Sequence, residues 1–451
     1  MTERVVHRLP VDTGQSGWLA LSARHAPARV LDRHLTADWL IVGAGFAGLS
    51  AARRLAQLRP GERIVVLEAR EIAQGPAGRN SGFMIDLPHN LGLGSGGYSP
   101  GSAAHAKREI TQNRFAIAFA AAAAAEYGMA RSTFDPCGKT NAAATSRGEG
   151  LNADFARALD RVGEPFDLLD AKSMQDMTGS AYYAGGLRTP GAVMIQPASY
   201  IHAFAAGLRS VADIRENSPV VGLERQGGLW MARTPDGTVR APKAILAVNG
   251  HIQDFGHFGG RLMHVFTYAS MTRALRPGMA GRGTTGVAAW GVLPADPMGA
   301  TVRKITIADE EERIVIRTRF TYDPSLRVSE ERVGGIAAEQ RKSFDARFPH
   351  LKDLPFEFSW AGRICLSLNH VPAFGEVEED LFSACCENGL GTVKSTLAGI
   401  LAADLATRTR STVLDEFQAQ PAPKRLPPAP LAYVGINSVI RWQELRAGRE
   451  G

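Results

Sequence analysis

"LIVGAGFAGLSAARRLAQ", residues 40–57, breaks a short apolar run with three glycines in the spacing G-x-G-x-x-G, at Gly43, Gly45 and Gly48, and continues as a helix-forming stretch. Three glycines alone say little; their surroundings say more. "DWLIV" before Gly43 suits a buried parallel strand, and "LSAARRLAQL" after Gly48 carries apolar residues at helical spacing. "ERIVVLEAR" supplies a second buried strand ending in Glu68, twenty positions beyond Gly48, where a dinucleotide fingerprint places the carboxylate that takes the ribose hydroxyls. Gly43 permits the tight turn, Gly45 lets backbone approach the pyrophosphate, and Gly48 lets helix and strand pack closely. The first helical amides, at Phe46 and Ala47, face the phosphates. The stretch therefore predicts a dinucleotide site, with Glu68 favouring a free 2′-hydroxyl over a 2′-phosphate and with Ala69 and Arg70 beside it. NAD and FAD both use this fingerprint.

The whole chain narrows the class. Its 451 residues are too many for one simple core, so two domains sharing an interface are expected. The net charge of +6 is spread among acids, with no basic block or aromatic-basic stripe, which argues against nucleic acid as a partner. Cys137, Cys365, Cys385 and Cys386 form no metal-ligand spacing and read as free thiols, so no metal is expected. The longest apolar stretch, "FAIAFAAAAAAEYG" at residues 115–128, is mostly alanine and too short to span a bilayer; it predicts a buried or half-buried helix and no transmembrane segment. "MTERVVHRLPVDTGQSGW" at the start has no apolar run, and a cytoplasmic location is the resulting expectation.

The residues after Glu68 separate the two cofactors. An NAD domain continues with regular strand-helix alternation, whereas here comes the loop "EIAQGPAGRNSGFMIDLPH", with Gly78, Arg79, Asn80, Ser81 and Gly82 at its centre. At this point the sequence resembles the D-amino-acid-oxidase-like superfamily of FAD-dependent oxidoreductases, in particular the branch containing gamma-glutamylputrescine oxidase, glycine oxidase and sarcosine oxidase. "GPAGRNSG" is similar to that branch's G-A-S-G-R-N-G-G, which runs past the pyrophosphate towards the isoalloxazine. "GGLRTPGAVMIQPASYIHAFAAGL" resembles the return to the flavin domain, with Gln196 and Pro197 where the family often has His-Pro. "ENSPVVGLERQGGLWMARTPDGTVRAPKAILAVNGH" resembles its hairpin, with Val220 meeting the adenine through backbone. "WAGRICLSLNHVPAFG" parallels the family's W-x-G strand and places Gly362 at the flavin. "ENGLGTVKSTLAGILAADL" matches the last loop and helix, usually G-H-G; it puts Asn388, Gly389, Leu390, Gly391 and Thr392 at the flavin's N1–C2=O2 edge. Read from the residues alone, "NGLG" is a permissive turn before a good helix whose amides face developing negative charge.

The resemblance implies an α/β fold: a Rossmann-like FAD-binding domain with a second, mostly antiparallel-sheet substrate domain. The domain limits expected are 37–114, 195–262 and 358–415 for the discontinuous FAD domain and 115–194 and 263–357 for the substrate domain. Extensions at 1–36 and 416–451 flank them, with Trp18 and Trp442 packing on the fold. The implied chemistry is oxidation of the C–N bond of a small amine or amino acid by hydride transfer to flavin N5, the imine then hydrolysing. Oxygen or a respiratory electron acceptor reoxidises the flavin. Oxidation of a hydroxy acid or phosphorylated alcohol is the alternative, as is a flavin subunit of a larger dehydrogenase or tRNA-modifying system. FAD is expected to be non-covalent, because Gly362 stands where sarcosine oxidases carry the attaching cysteine.

No one member's substrate clamp transfers. The glycine-oxidase arginine aligns with Ile364, next to Arg363, and sarcosine oxidase's lysine aligns with Val393, next to Lys394. The strand "ERIVIRTRF" instead offers Arg313, Arg317 and Arg319. Residues at i and i+2 share a strand face, so Arg317 and Arg319 are expected to form a paired site for a carboxylate, sulfonate or phosphonate, unless they line a solvated edge. His251, Tyr268 and Lys394 complete the substrate-site candidates.

Overall fold

The computed structural model describes residues 3–23, 27–88, 103–275, 287, 289–307 and 311–451. One sheet runs in the order Ala212–Arg215, Ile64–Leu67, Trp39–Val42, Lys243–Leu246, Leu381–Cys385 and Ala373–Glu378. Its first five strands are mutually parallel and the last is an antiparallel edge. Trp39–Val42 and Ile64–Leu67 are buried at every position, as continuous apolar runs must be when helices cover both faces of a parallel sheet. Helices Phe46–Leu58 and Gly391–Ala406 pack against each other beside it. Helix Ala103–Glu126 joins the same core through Ala116, Ala120 and Ala123.

The second sheet has eight strands, Phe356–Ser367, Leu262–Thr272, Glu312–Tyr322, Thr301–Thr306, Trp290–Pro294, Lys139–Ala143, Gly185–Thr189 and Asp167–Asp170. Only the pair Trp290–Pro294 with Lys139–Ala143 is parallel. One face carries Ala269, Met271, Val315 and Trp360 into the core shared with the dinucleotide domain. The other is covered by helix Glu330–Arg347, against which Phe266, Tyr268, Ile314 and Ile316 pack. Ser329 caps that helix on the Arg332 amide, and Glu330 and Glu331 occupy its first turn, favourable for the helix dipole.

Five of the six boundaries read from sequence cross intact elements; those at 194/195, 262/263 and 415/416 cut strands Val193–Ile195 and Leu262–Thr272 and helix Thr412–Gln418. Helix Ala103–Glu126 runs through the 114/115 limit, and strand Phe356–Ser367 pairs in the antiparallel sheet although the sequence limit puts residues from 358 onward in the FAD domain. The extensions also differ in kind. Arg4–Val5 and His34–Thr36 are edge strands of a five-stranded sheet with Gly222–Gln226, Leu229–Arg233 and Thr238–Ala241, so the segment from Arg4 is part of the fold. Trp18 is fully buried, lies edge-on to Trp360 at 6.3 Å and donates from its indole to Asn80 O at 2.9 Å. Trp442, by contrast, is 55 % exposed. Its helix, Ala429–Ala447, packs through Ala432, Ile436 and Ile440 instead.

Trp18→Ala is expected to destabilise the fold by about 3–5 kcal/mol, the cost of emptying a large aromatic site in a core. Urea unfolding followed by far-ultraviolet circular dichroism measures it, and a change below about 1 kcal/mol would show that the N-terminal segment is dispensable.

Candidate active site

The glycine turn has the geometry its residue types require. Gly43 sits at φ +103°, and a Cβ there would lie 2.5 Å from Ala247 O. A Cβ on Gly48 would lie 1.8 Å from Gly43 O, so only glycine lets the helix return this closely to the strand. Gly45, facing outward, would meet nothing nearer than Ala77 Cβ at 3.6 Å, leaving its backbone approachable. No side chain caps the helix that begins at Phe46, so the amides of its first turn stay directed at the site. The Glu68 carboxylate accepts from Ala44 N at 2.8 Å and Arg70 N at 3.2 Å. Burial raises its pKa, and these two amides oppose that rise. Backbone bonds from Ser218 N to Glu68 O (2.8 Å) and from Asn217 N to Arg70 O (2.9 Å) draw the segment leading to the buried Val220 against this carboxylate.

The "GPAGRNSG" loop is held by side chains from elsewhere in the chain. Arg79 points inward: Nε donates to Gln74 O at 2.7 Å, and Nη1 to Thr13 O at 3.0 Å and Ala361 O at 3.2 Å. Its guanidinium thus braces the loop, leaving backbone as the part that faces a cofactor. Asn80 folds back on Ala77 O at 2.7 Å and receives Gly82 N at 2.9 Å. From the second sheet, Arg303 donates Nη1 to Ser81 O, Gly82 O and Ile195 O at 2.9, 3.0 and 2.9 Å. Its guanidinium lies between the rings of Trp18 and Phe83, and burial pushes its pKa down to about 10. The Trp360 indole donates to Arg79 O at 3.1 Å, and a Cβ on Gly362 would come within 3.0 Å of that same oxygen.

The last loop is braced too. Asn388 accepts from Ser367 N at 2.8 Å and donates to Val371 O at 2.9 Å, while the Thr392 hydroxyl donates to Phe83 O at 2.6 Å. Asn388 at φ +52° and Gly389 at +89° turn the chain into helix Gly391–Ala406, with Leu390 as its buried N-cap residue. No side chain caps this helix and no acid stands in its first turn, so its amides and dipole face the same region as those of Phe46.

The substrate candidates separate. Paired residues align Trp360, Ala269, Arg317 and Thr301 across four strands, with Gly362 opposite Thr267 in the next row. Directly paired residues share a face, and this face is the one bearing Ala269 and Trp360 into the dinucleotide-domain core. Arg317 lies over the Phe320 ring at 4.9 Å, and burial alone pushes its pKa down to about 10. Its Nη1 is shut off from solvent and has no hydrogen-bond partner among the described residues, as is true of the hydroxyls of Thr267 and Thr301.

Arg319 does not join it. It is the extra residue of a bulge, at φ +65°, where Tyr268 pairs with Thr318 and Thr267 with Phe320. The bulge breaks the i, i+2 alternation, and Arg319 pairs instead with Glu339 at 2.9 Å and with Glu444 of the C-terminal helix. Arg313 is likewise taken by Glu311 and Glu357. Tyr268 lies on the opposite face, its hydroxyl 2.6 Å from that of Thr321. His251 Nε2 is 2.7 Å from Arg363 Nη1, and burial lowers its pKa; Arg363 reaches on to Asp12 at 3.2 Å. Lys394 pairs with Glu109 at 2.6 Å. Sequence reasoning passes over Asp12, Thr13, Arg303, Thr267 and Thr301. Only the indole of Trp18 signals that the N-terminal segment packs inward.

Comparison with known proteins agrees with this geometry. Residues 38–405 match the model of the DAO family, described as FAD dependent oxidoreductase. The chain is 23% identical over 393 residues to a probable oxidoreductase OrdL of Haemophilus influenzae, covering 82% of each. It is 24% identical to gamma-glutamylputrescine oxidoreductase of Escherichia coli, over 86% of this chain and 88% of that one. Among solved structures, glycine oxidase from Geobacillus kaustophilus superposes with a TM-score of 0.69 at 20% identity, covering 87% of this chain and all of its own. L-Amino acid deaminase from Proteus myxofaciens gives 0.67 at 14% identity, covering 91% of this chain and 98% of that one.

Glu68→Ala is expected to weaken FAD retention by roughly 1.5–3 kcal/mol, the worth of hydrogen bonds to a charged acceptor. Equilibrium dialysis of the apoprotein with FAD measures it, and unchanged affinity would remove Glu68 from the site.

Proposed function

The chain belongs to the DAO family of FAD-dependent oxidoreductases, and from that premise we propose that it oxidises the C–N bond of a small amine or amino acid bearing an anionic group. The Gly43 turn and the "GPAGRNSG" loop would hold FAD, which would supply the hydride acceptor. Arg317 carries the reading. It is a guanidinium set into the sheet face that packs towards the flavin domain, with no carboxylate beside it and one nitrogen unmatched among the described residues. A buried cation without a counter-ion is costly, and a carboxylate, sulfonate or phosphonate brought by the substrate supplies what is missing. The Thr301 hydroxyl on the directly paired residue, and that of Thr267 one row on, add donors of suitable reach. An anion held there fixes the substrate's orientation, so the amine-bearing carbon is presented by position alone. The names of the glycine oxidase and L-amino acid deaminase neighbours, both acting on substrates with a carboxylate beside the amine, accord with this.

Arg319 has no part in the clamp, since Glu339 and Glu444 already neutralise it. The cofactor is read as non-covalent. Gly362 offers no attaching group, and Cys365 packs on the other side of the strand with Cys385 and Cys386.

Acid denaturation of the purified holoprotein is therefore expected to leave all the yellow colour in the supernatant, and a flavin-bearing peptide would overturn the non-covalent assignment. For substrate, anaerobic mixing with a panel of amino acids, aminosulfonates and aminophosphonates, monitored by flavin bleaching, identifies the best reductant. With it, Arg317→Lys is expected to raise KM at least about tenfold at unchanged FAD content, because Lys keeps the charge but loses the planar fork. Arg319→Lys is expected to leave KM near that of the parent. Parental KM in Arg317→Lys would end the clamp assignment.

A further inference from the structure

Helix Ala429–Ala447 is apolar on two sides, and only one is used. Ala432, Ile436 and Ile440 pack on the substrate sheet, while Asn437 and Glu444 bond to it. Turned away from these by the helical period are Leu431, Val434, Val439, Trp442 and Leu445, exposed by 68, 63, 54, 55 and 66 %. A helix apolar all round is normally buried all round. This one presents a stripe five large side chains long to the outside.

The charges around the stripe say what covers it. Exposed Arg441 and Arg446 flank it on either side, Arg446 stacking at 4.6 Å on the Trp442 ring. Exposed Lys424 and Arg425 precede the helix and Arg449 comes after it. The helix's one acid, Glu444, is taken by Arg319 and the Phe320 amide, and Arg441 also reaches it at 3.4 Å. A second copy of the same stripe is a poor match: two-fold pairing would set arginines against arginines, with the helix's one carboxylate already engaged by Arg319 and Arg441. An apolar stripe with a central tryptophan and a mainly cationic border is instead the composition of a helix lying in the headgroup plane of an anionic bilayer. No described helix is long and apolar enough to cross a membrane, and a helix lying in the plane needs no such length.

We propose that the outer face of helix Ala429–Ala447 seats this flavoprotein peripherally on an anionic lipid surface. Leu431, Val434, Trp442 and Leu445 enter the acyl boundary, and Arg441, Arg446, Lys424 and Arg425 meet the phosphates. The contact is independent of the substrate clamp, so either assignment stands if the other fails.

Flotation of the full-length, FAD-loaded protein with vesicles tests this, using phosphatidylcholine alone and phosphatidylcholine with about one-third phosphatidylglycerol. The protein is expected to float with the anionic vesicles at low salt and to stay in solution with the neutral ones. Leu431→Ser/Leu445→Ser should lower the partition coefficient at least about tenfold, since insertion strength scales with buried apolar area. Arg441→Gln/Arg446→Gln should lower it and flatten its salt dependence. Both variants change exposed residues, and an unaltered flavin spectrum and melting temperature confirm their folding. A parent protein that floats with neither vesicle overturns the proposal. So does a dimer in sedimentation velocity that Leu431→Ser/Leu445→Ser converts to monomer, which would make the stripe a self-interface.

Discussion

The guanidinium of Arg79 is the joint on which three parts of the molecule meet. It reaches Gln74 in its own loop, Thr13 in the N-terminal segment and Ala361 in the substrate sheet, and Ala361 N donates back to Thr13 O at 3.1 Å. Burial pushes its pKa down, while Asp12 and then Glu330 work the other way. A desolvated cation is tolerated when its donors are matched, so the three carbonyls must stay where they are. That requirement ties the position of the flavin loop to the substrate sheet. Arg303 makes the reciprocal tie, from the substrate sheet to Ser81, Gly82 and Ile195.

These ties also set the electrostatics of the cofactor site. Asp12 is the carboxylate among Arg70, Arg79 and Arg363, paired with Arg70 at 3.3 Å and Arg363 at 3.2 Å. Two helix N-termini without capping side chains, at Phe46 and Gly391, add their dipoles from the dinucleotide domain. Donors fixed in advance here would suit a pyrophosphate and the negative charge of a reduced ring, since they need no rearrangement as charge appears.

How much of this is legible in the sequence depends on how local each role is. Gly43, Gly48 and Glu68 act through turn geometry and backbone amides within one strand-helix-strand unit, and their spacing alone announces them. Arg79 and Asn388 lie in loops that the sequence marks, yet their side chains serve distant carbonyls that no local pattern encodes. Lys394 likewise finds its acid on a helix nearly three hundred residues earlier in the chain. Tyr268 could have faced either way, since a period-two pattern says which residues share a face but not which face meets the flavin. The paired arginines fail for a sharper reason. Alternation holds only without a bulge, and a bulge inserts one residue with no necessary trace in composition.

That bulge has a structural cause and a consequence. Strand Glu312–Tyr322 outlasts its neighbour: Thr301–Thr306 ends opposite Arg317, so the backbone beyond has no strand on that side. An uncovered edge must be bonded otherwise, and the C-terminal helix supplies the partners. Glu444 accepts Phe320 N at 2.9 Å, while Asn437 accepts Tyr322 N and donates to Tyr322 O, each at 3.0 Å. By turning Arg319 out to Glu444, the bulge gives this carboxylate its counter-charge and leaves Arg317 alone on the inner face, against Phe320. The same single-residue irregularity therefore separates two neighbouring arginines, one anchoring the helix and one without a counter-ion among the described residues, where the proposed clamp would receive the substrate anion.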